Sequence, residues 1–164
     1  MRAIDTKIAS LVGFSPMLGG GFRTSLRDYV NFLSMIANNG IFEGKQILSP
    51  EVIAEMESDQ IKNAFVQQPE YVWNTRQNAH NGIYGMGVWR EEIDENGKAT
   101  LISSPGWAGA YPWVDRENNL YGFVLAKVNT EKANAEGFSS FYGSAVLPVV
   151  VRRALIEMSC HKTK

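Results

Sequence analysis

Between Tyr84 and Val128 the chain alternates short β-prone runs with turn residues, and this spacing restricts the fold more than any other feature. Tyr84 to Ile93 reads as a strand rich in aromatic and β-branched residues. Asn96-Gly97 follows, a dipeptide whose tolerance of positive φ suits a hairpin turn, and Ala99 to Ser103 returns as a second strand. Tyr111 to Val114 and Leu120 to Val128 supply a third and a fourth, with Glu117-Asn118-Asn119 turning between them. Connections this short leave little room for parallel crossovers, so an antiparallel meander is expected.

Helical patterns flank the meander. Thr24 or Ser25 can cap a helix, with Asp28 placed to answer free amides in its first turn. Leu26, Tyr29, Val30, Leu33, Ile36 and Ala37 share one apolar face, and Asn38-Asn39-Gly40 ends the pattern. A connector, Ile41 to Leu48, holds Glu43-Gly44 as a turn. Ser49-Pro50-Glu51 then starts a second helix running through Met56 towards Ser58. From Ile61 to Gly82 no period emerges, and a long irregular loop is expected. Ser139 to Met158 reads as a closing helix, with Leu147, Val151, Ala154, Leu155 and Met158 on one face and Pro148 starting or kinking it. The expected class is therefore α+β, a three- to four-stranded antiparallel meander packed with helices. Its expected layout is one partial domain over 1–164: helical to 60, irregular over 61–82, strands over 83–129 and a helix over 136–158. Three or four strands with one closing helix leave a face or an edge open, and an open edge invites another chain.

Composition narrows the partners. Apolar residues are 45% and charged residues 20%, those of an ordinary globular protein, and the net charge is −1. No basic run exceeds Arg152-Arg153, so neither nucleic acid nor an anionic membrane surface is an expected partner. Met1 to Phe14 lacks a signal-peptide layout, and no stretch approaches the roughly 18 apolar residues of a membrane span. The compartment stays open. Cys160 is the single cysteine, which excludes an intrachain disulfide. His80 and His161 are the only histidines, and no Cys/His/acid cluster has ligand spacing, so no metal site is expected. Gly19-Gly20-Gly21 lacks the Gly-Lys-Ser/Thr of a phosphate loop, and Gly82, Gly85 and Gly87 lack dinucleotide spacing, so no cofactor is expected either.

Several segments, in order, resemble the serine β-lactamase-like family, which includes penicillin-binding proteins and related esterases. They are Gly19-Gly20-Gly21-Phe22 with Thr24-Ser25, Asp28-Tyr29 and Phe32-Leu33; then Gly40 and Leu48-Ser49-Pro50-Glu51. Tyr84-Gly85-Met86-Gly87-Val88-Trp89 is similar to the strand entering that family's active-site sheet. The segment from Ser104-Pro105-Gly106-Trp107 to Val114-Asp115 is similar to the strand and hairpin beyond it. The resemblance implies the C-terminal half of the family's domain.

In that family a strand beside the nucleophile carries Lys-Thr-Gly or a variant. The match places Ser104-Pro105-Gly106 at the triplet, and the resemblance then implies that Ser104, Gly106 and Trp107 bind substrate. Gly106 would let a substrate backbone lie close, and the Trp107 amide would form part of an oxyanion hole. Serine in place of the usual cation keeps a hydrogen-bonding role and removes a charge-dependent one. Ser-Pro-Gly between strands is also an ordinary turn sequence.

The implied chemistry requires Ser-x-x-Lys at a helix start. Of twelve serines only Ser159 has lysine three residues on, at Lys162, in a terminal tail after the last helix, where a reactive pair cannot be held. Tyr29-Val30-Asn31 has the letters of the family's Tyr-x-Asn but sits inside the first helix, with Tyr29 on its apolar face. No Gly-x-Ser-x-Gly elbow offers an alternative around His80. No catalytic residue is therefore assigned. Trp73, Trp89, Trp107 and Trp113 can line an aromatic pocket or pack a core. Two roles follow as expectations. The chain is part of a serine hydrolase acting on a small ester or amide and inactive without its N-terminal half, or it is a non-catalytic, homo-oligomeric module of the same ancestry.

Overall fold

The computed structural model describes residues 24–62, 84–106, 109–125, 129–136 and 146–161. Helix α1 (Leu26–Ala37) begins at Ser25, whose hydroxyl oxygen accepts the Asp28 amide at 3.1 Å and donates to the Asp28 carboxylate at 2.8 Å. It ends where Asn39 (φ 51°) and Gly40 (φ 86°) take the left-handed conformation, and the Gly40 amide turns back to the Met35 carbonyl at 2.9 Å. Strands β1 (Ile41–Phe42) and β2 (Lys45–Gln46) fold the connector into a small hairpin. Glu43 and Gly44 both have positive φ, as a type I′ turn demands. Helix α2 (Pro50–Met56) starts at Ser49, which accepts the Val52 amide at 3.3 Å, with Pro50 where no amide is needed.

Strands β3 (Trp89–Ile93), β4 (Ala99–Ser103), β5 (Ala110–Asp115) and β6 (Leu120–Leu125) form one antiparallel sheet in that order. The α+β class and the meander are as expected. The entry strand is not: pairing with β4 begins at Trp89, and Tyr84 makes only an isolated bridge to Trp89. Two glycines explain the shift. Gly87 has φ 73°, and the Gly85 amide donates to the Val88 carbonyl at 2.9 Å, so the segment curls on itself. Gly85 lies so close to the Met56 carbonyl that a Cβ there would collide with it, while the Met86 amide donates to that same carbonyl at 2.8 Å. The expected strand thus opens with a glycine loop tied to the end of α2.

The turn at Asn96-Gly97 is present but longer than a two-residue hairpin. The Asp94 carboxylate accepts the amides of Asn96 (2.9 Å) and Lys98 (2.8 Å), organising the link between β3 and β4. Asp115 does the same between β5 and β6, accepting the Asn118 amide at 3.2 Å and its side chain at 3.0 Å.

Helices lie on both faces of the sheet, where the sequence suggested one. Leu33, Met35 and Ile36 of α1 and Ile53 of α2 pack with Ile102 and Val114 on one face. Leu101, Tyr111 and Trp113, whose side chains alternate to the other face, pack with Leu120 and with Leu147 of helix α4 (Leu147–His161). Trp113 pairs directly with Gly122, and a Cβ at Gly122 would stand 2.5 Å from the indole. The glycine makes room for the ring. A short helix α3 (Thr130–Ala135) precedes α4 and was not anticipated, although Asn129 takes the Lys132 amide at 3.1 Å as a cap would. Helix α4 starts at Leu147 with Pro148 in its first turn; the earlier part of the helix expected from Ser139 lies outside the described residues.

Two ion-pair clusters hold these layers. Arg116, in the β5–β6 turn, donates from Nε to Glu57 Oε2 at 2.8 Å and from Nη2 to Glu57 Oε1. The same guanidinium reaches the Ile36 carbonyl at 3.2 Å, the Ala37 carbonyl at 3.4 Å and Asn39 Oδ1 at 3.2 Å, capping the negative end of α1. On the opposite face, Arg152 of α4 pairs with Glu92 and with buried Asp115, each at 2.7 Å.

Candidate functional site

The sheet and α1 enclose an apolar groove of about 270 Å³. Tyr29, Phe32, Leu33 and Ile36 form its helical wall, because their i, i+3, i+4, i+7 spacing places them on one side of α1. Ile102 and Val114 form its floor, and Met56, Met86 and Val88 close one side. Pro112, Trp113, Ser103 and Ser104 line the end where β4 leaves the sheet. Phe32 and Met86 remain 47% and 53% exposed, so large apolar groups stand at the opening.

Ser104 lies at this end of the groove. Its amide donates to the Pro112 carbonyl at 3.1 Å, which extends the β4–β5 ladder by one residue. Its hydroxyl donates to the Gly87 carbonyl at 3.0 Å, leaving oxygen lone pairs for a ligand donor. Gly106 sits beyond it, where its amide donates to the Ala110 carbonyl at 2.7 Å. Among the described residues a Cβ on Gly106 would make only ordinary contact with Ala110, from 3.4 Å. Trp107 lies outside the described residues, as do Trp73, His80 and the Gly19-Gly20-Gly21 turn.

The electrostatics of the groove are simple. Among the described residues Tyr29 is its one titratable lining residue, and burial pushes its phenol above the ordinary range, so it stays neutral around pH 7. Its ring packs on Phe123 with centroids 4.7 Å apart, so Tyr29 works as an apolar wall, as its place on the helix face suggested. Ser103 is buried and committed, donating to Glu91, which also accepts from the Tyr111 hydroxyl at 3.4 Å. Among the described residues no group of three His, Cys, Asp or Glu side chains could hold a metal, and no helix is long and apolar enough to cross a membrane. Trp89 meets Tyr84 edge-on at 5.2 Å, and Trp113, which packs in the core, is the one described tryptophan among the groove's lining residues.

A crystal structure of a "putative beta-lactamase" from Bacteroides dorei DSM 17855 superposes on this chain with a TM-score of 0.77 and 50% sequence identity. The match covers 85% of this chain and 42% of that one. The fold is β-lactamase-like. Two curated relatives from Mycobacterium tuberculosis, Uncharacterized protein MT1414 (strain CDC 1551 / Oshkosh) and Protein Rv1367c (strain ATCC 25618 / H37Rv), are each 25% identical over 100 residues. Those residues are 58% of this chain and 22% of each relative, so the chain spans about a fifth of the length of the curated relatives it matches. No family model matches the chain. Of the residues expected from the sequence to bind substrate, Ser104 lines the groove and Gly106 sits beyond it, while the groove itself was not expected. Its walls come from α1, the glycine loop and β4–β5, and no linear motif joins those segments.

Proposed function

We propose that this chain is the C-terminal part of a β-lactamase-related serine hydrolase domain, forming one wall of a cleft for an ester or amide. The observation that carries the reading is the 50% identity to a β-lactamase-like structure of which this chain spans 42%. In the completed domain, a serine supplied by other polypeptide attacks the acyl carbon and its proton passes to a neighbouring lysine. The Trp107 amide contributes to the oxyanion hole, Ser104 hydrogen-bonds the substrate, and Gly106 leaves space for its backbone. The leaving group departs with a proton, and water releases the acyl group. Alone, the chain does not acylate, because its one Ser-x-x-Lys match is the terminal Ser159–Lys162 pair. Intact-mass measurement after incubation with a fluorophosphonate or a penicillin should therefore show no adduct. Joining a β-lactamase-like N-terminal part that bears Ser-x-x-Lys should produce one. Stoichiometric labelling of any serine in this chain by itself would overturn the reading.

One observation favours the second reading, a homo-oligomeric module. Among the described residues β6 is paired on one side only, and Leu125 on β6 and Met158 on α4 are well exposed. That reading predicts a stable dimer or larger assembly in light scattering. A monomer that acylates once completed would decide for the hydrolase part.

A further inference from the structure

We infer that the groove beneath α1 holds the uncharged aliphatic or aromatic acyl portion of the substrate, with the acyl carbonyl lying at the Ser104–Gly106 end. This inference rests on the hydrolase reading for the identity of that end, and on the groove itself for the class of ligand. Ile102 and Val114 form an apolar floor, Tyr29 stays neutral, and among the described residues no charged side chain lines the space. A charged group entering it would lose its hydration with no partner to replace it. Polarity is confined to one end, where the exposed Ser104 hydroxyl has lone pairs to accept an N–H. A trough that is apolar along its length and polar at its mouth matches an amphipathic neutral molecule better than a peptide or a sugar. Phe32, half-exposed on the helical wall, adds apolar surface that a ligand in the groove would cover.

The test uses the full 164-residue chain and the amides acetamide, butanamide and heptanamide, followed by backbone amide shifts at Ile102 to Ser104. Affinity should tighten about three- to fourfold for each methylene until the groove is full. The isostere 6-aminohexanamide, with an ammonium in place of the terminal methyl, should bind about tenfold or more weaker than heptanamide. Phe32→Glu, at an exposed position, should weaken heptanamide more than acetamide while leaving the melting temperature unchanged. Affinity independent of chain length, or equal binding of 6-aminohexanamide, would overturn the inference. So would loss of heptanamide binding once an N-terminal part is joined, since the groove would then be a contact between the two parts. The hydrolase reading is read out separately. A completed domain that acylates without chain-length preference removes the groove and keeps the hydrolase. Chain-length-dependent binding without acylation keeps the groove and removes the hydrolase.

Discussion

Arg116→Met is expected to destabilise the folded chain by about 3–5 kcal/mol, seen as a fall in the denaturant midpoint. The side chains of Arg116 and Glu57 are 14% and 6% exposed, so the substitution strands the Glu57 carboxylate in a site with little water. It also strips the Ile36 and Ala37 carbonyls of the cation that faces them at the end of α1. The cost belongs to breaking the pair more than to lacking it. Replacing both partners, as in Arg116→Met with Glu57→Leu, should therefore lose less than either single change. Arg116→Lys should fall between, because an ammonium keeps the charge but cannot present the two-pronged donor that Glu57 receives. If the single and double variants were equally destabilised, the pair would not be the lock described here.

Arg152→Met should act differently. Arg152 ties α4 to the sheet through Glu92 and through Asp115, whose side chain is 2% exposed. Beyond Arg152 the described side chains of α4 are mostly exposed, so Leu147, Pro148 and Arg152 carry much of its docking. Losing the arginine leaves two carboxylates close together on one face. Asp115 keeps the Asn118 donors, so the loss should sit near the lower end of the range for a broken buried pair, about 3 kcal/mol. Much of it should appear as release of α4 and not as global unfolding. Limited proteolysis should cut within Leu147–His161 much faster than in the parent, while amides of β4 and β5 keep most of their protection. Uniform loss of protection across the sheet would instead make α4 part of one cooperative unit.

These two clusters show which parts of the molecule a linear reading can reach. The Ser25 and Ser49-Pro50 helix starts, the Asn39-Gly40 stop and the turns at Asn96-Gly97 and Asn118-Asn119 were all legible. Each depends on groups within a few residues of one another, where side-chain chemistry and allowed φ decide the outcome. The meander and the α+β class followed from those signals. The entry strand was misread because apolar residues around Gly85 and Gly87 satisfy a strand pattern, while the backbone is decided by close approach to the Met56 carbonyl. Ser104 and Gly106 were singled out only through resemblance, since Ser-Pro-Gly alone is a turn.

The sequence by itself thus determined the starts of α1 and α2, the order of the meander strands and their antiparallel pairing, because these arise from local backbone preference and short connections. Only the tertiary structure decided that Arg116 locks to Glu57 across 59 residues, that helices lie on both faces of the sheet, and that an apolar groove opens beside Ser104. Those features come from side chains far apart in the chain meeting at van der Waals or hydrogen-bonding distance, and nothing in the local spacing of residues encodes which distant partner each will meet.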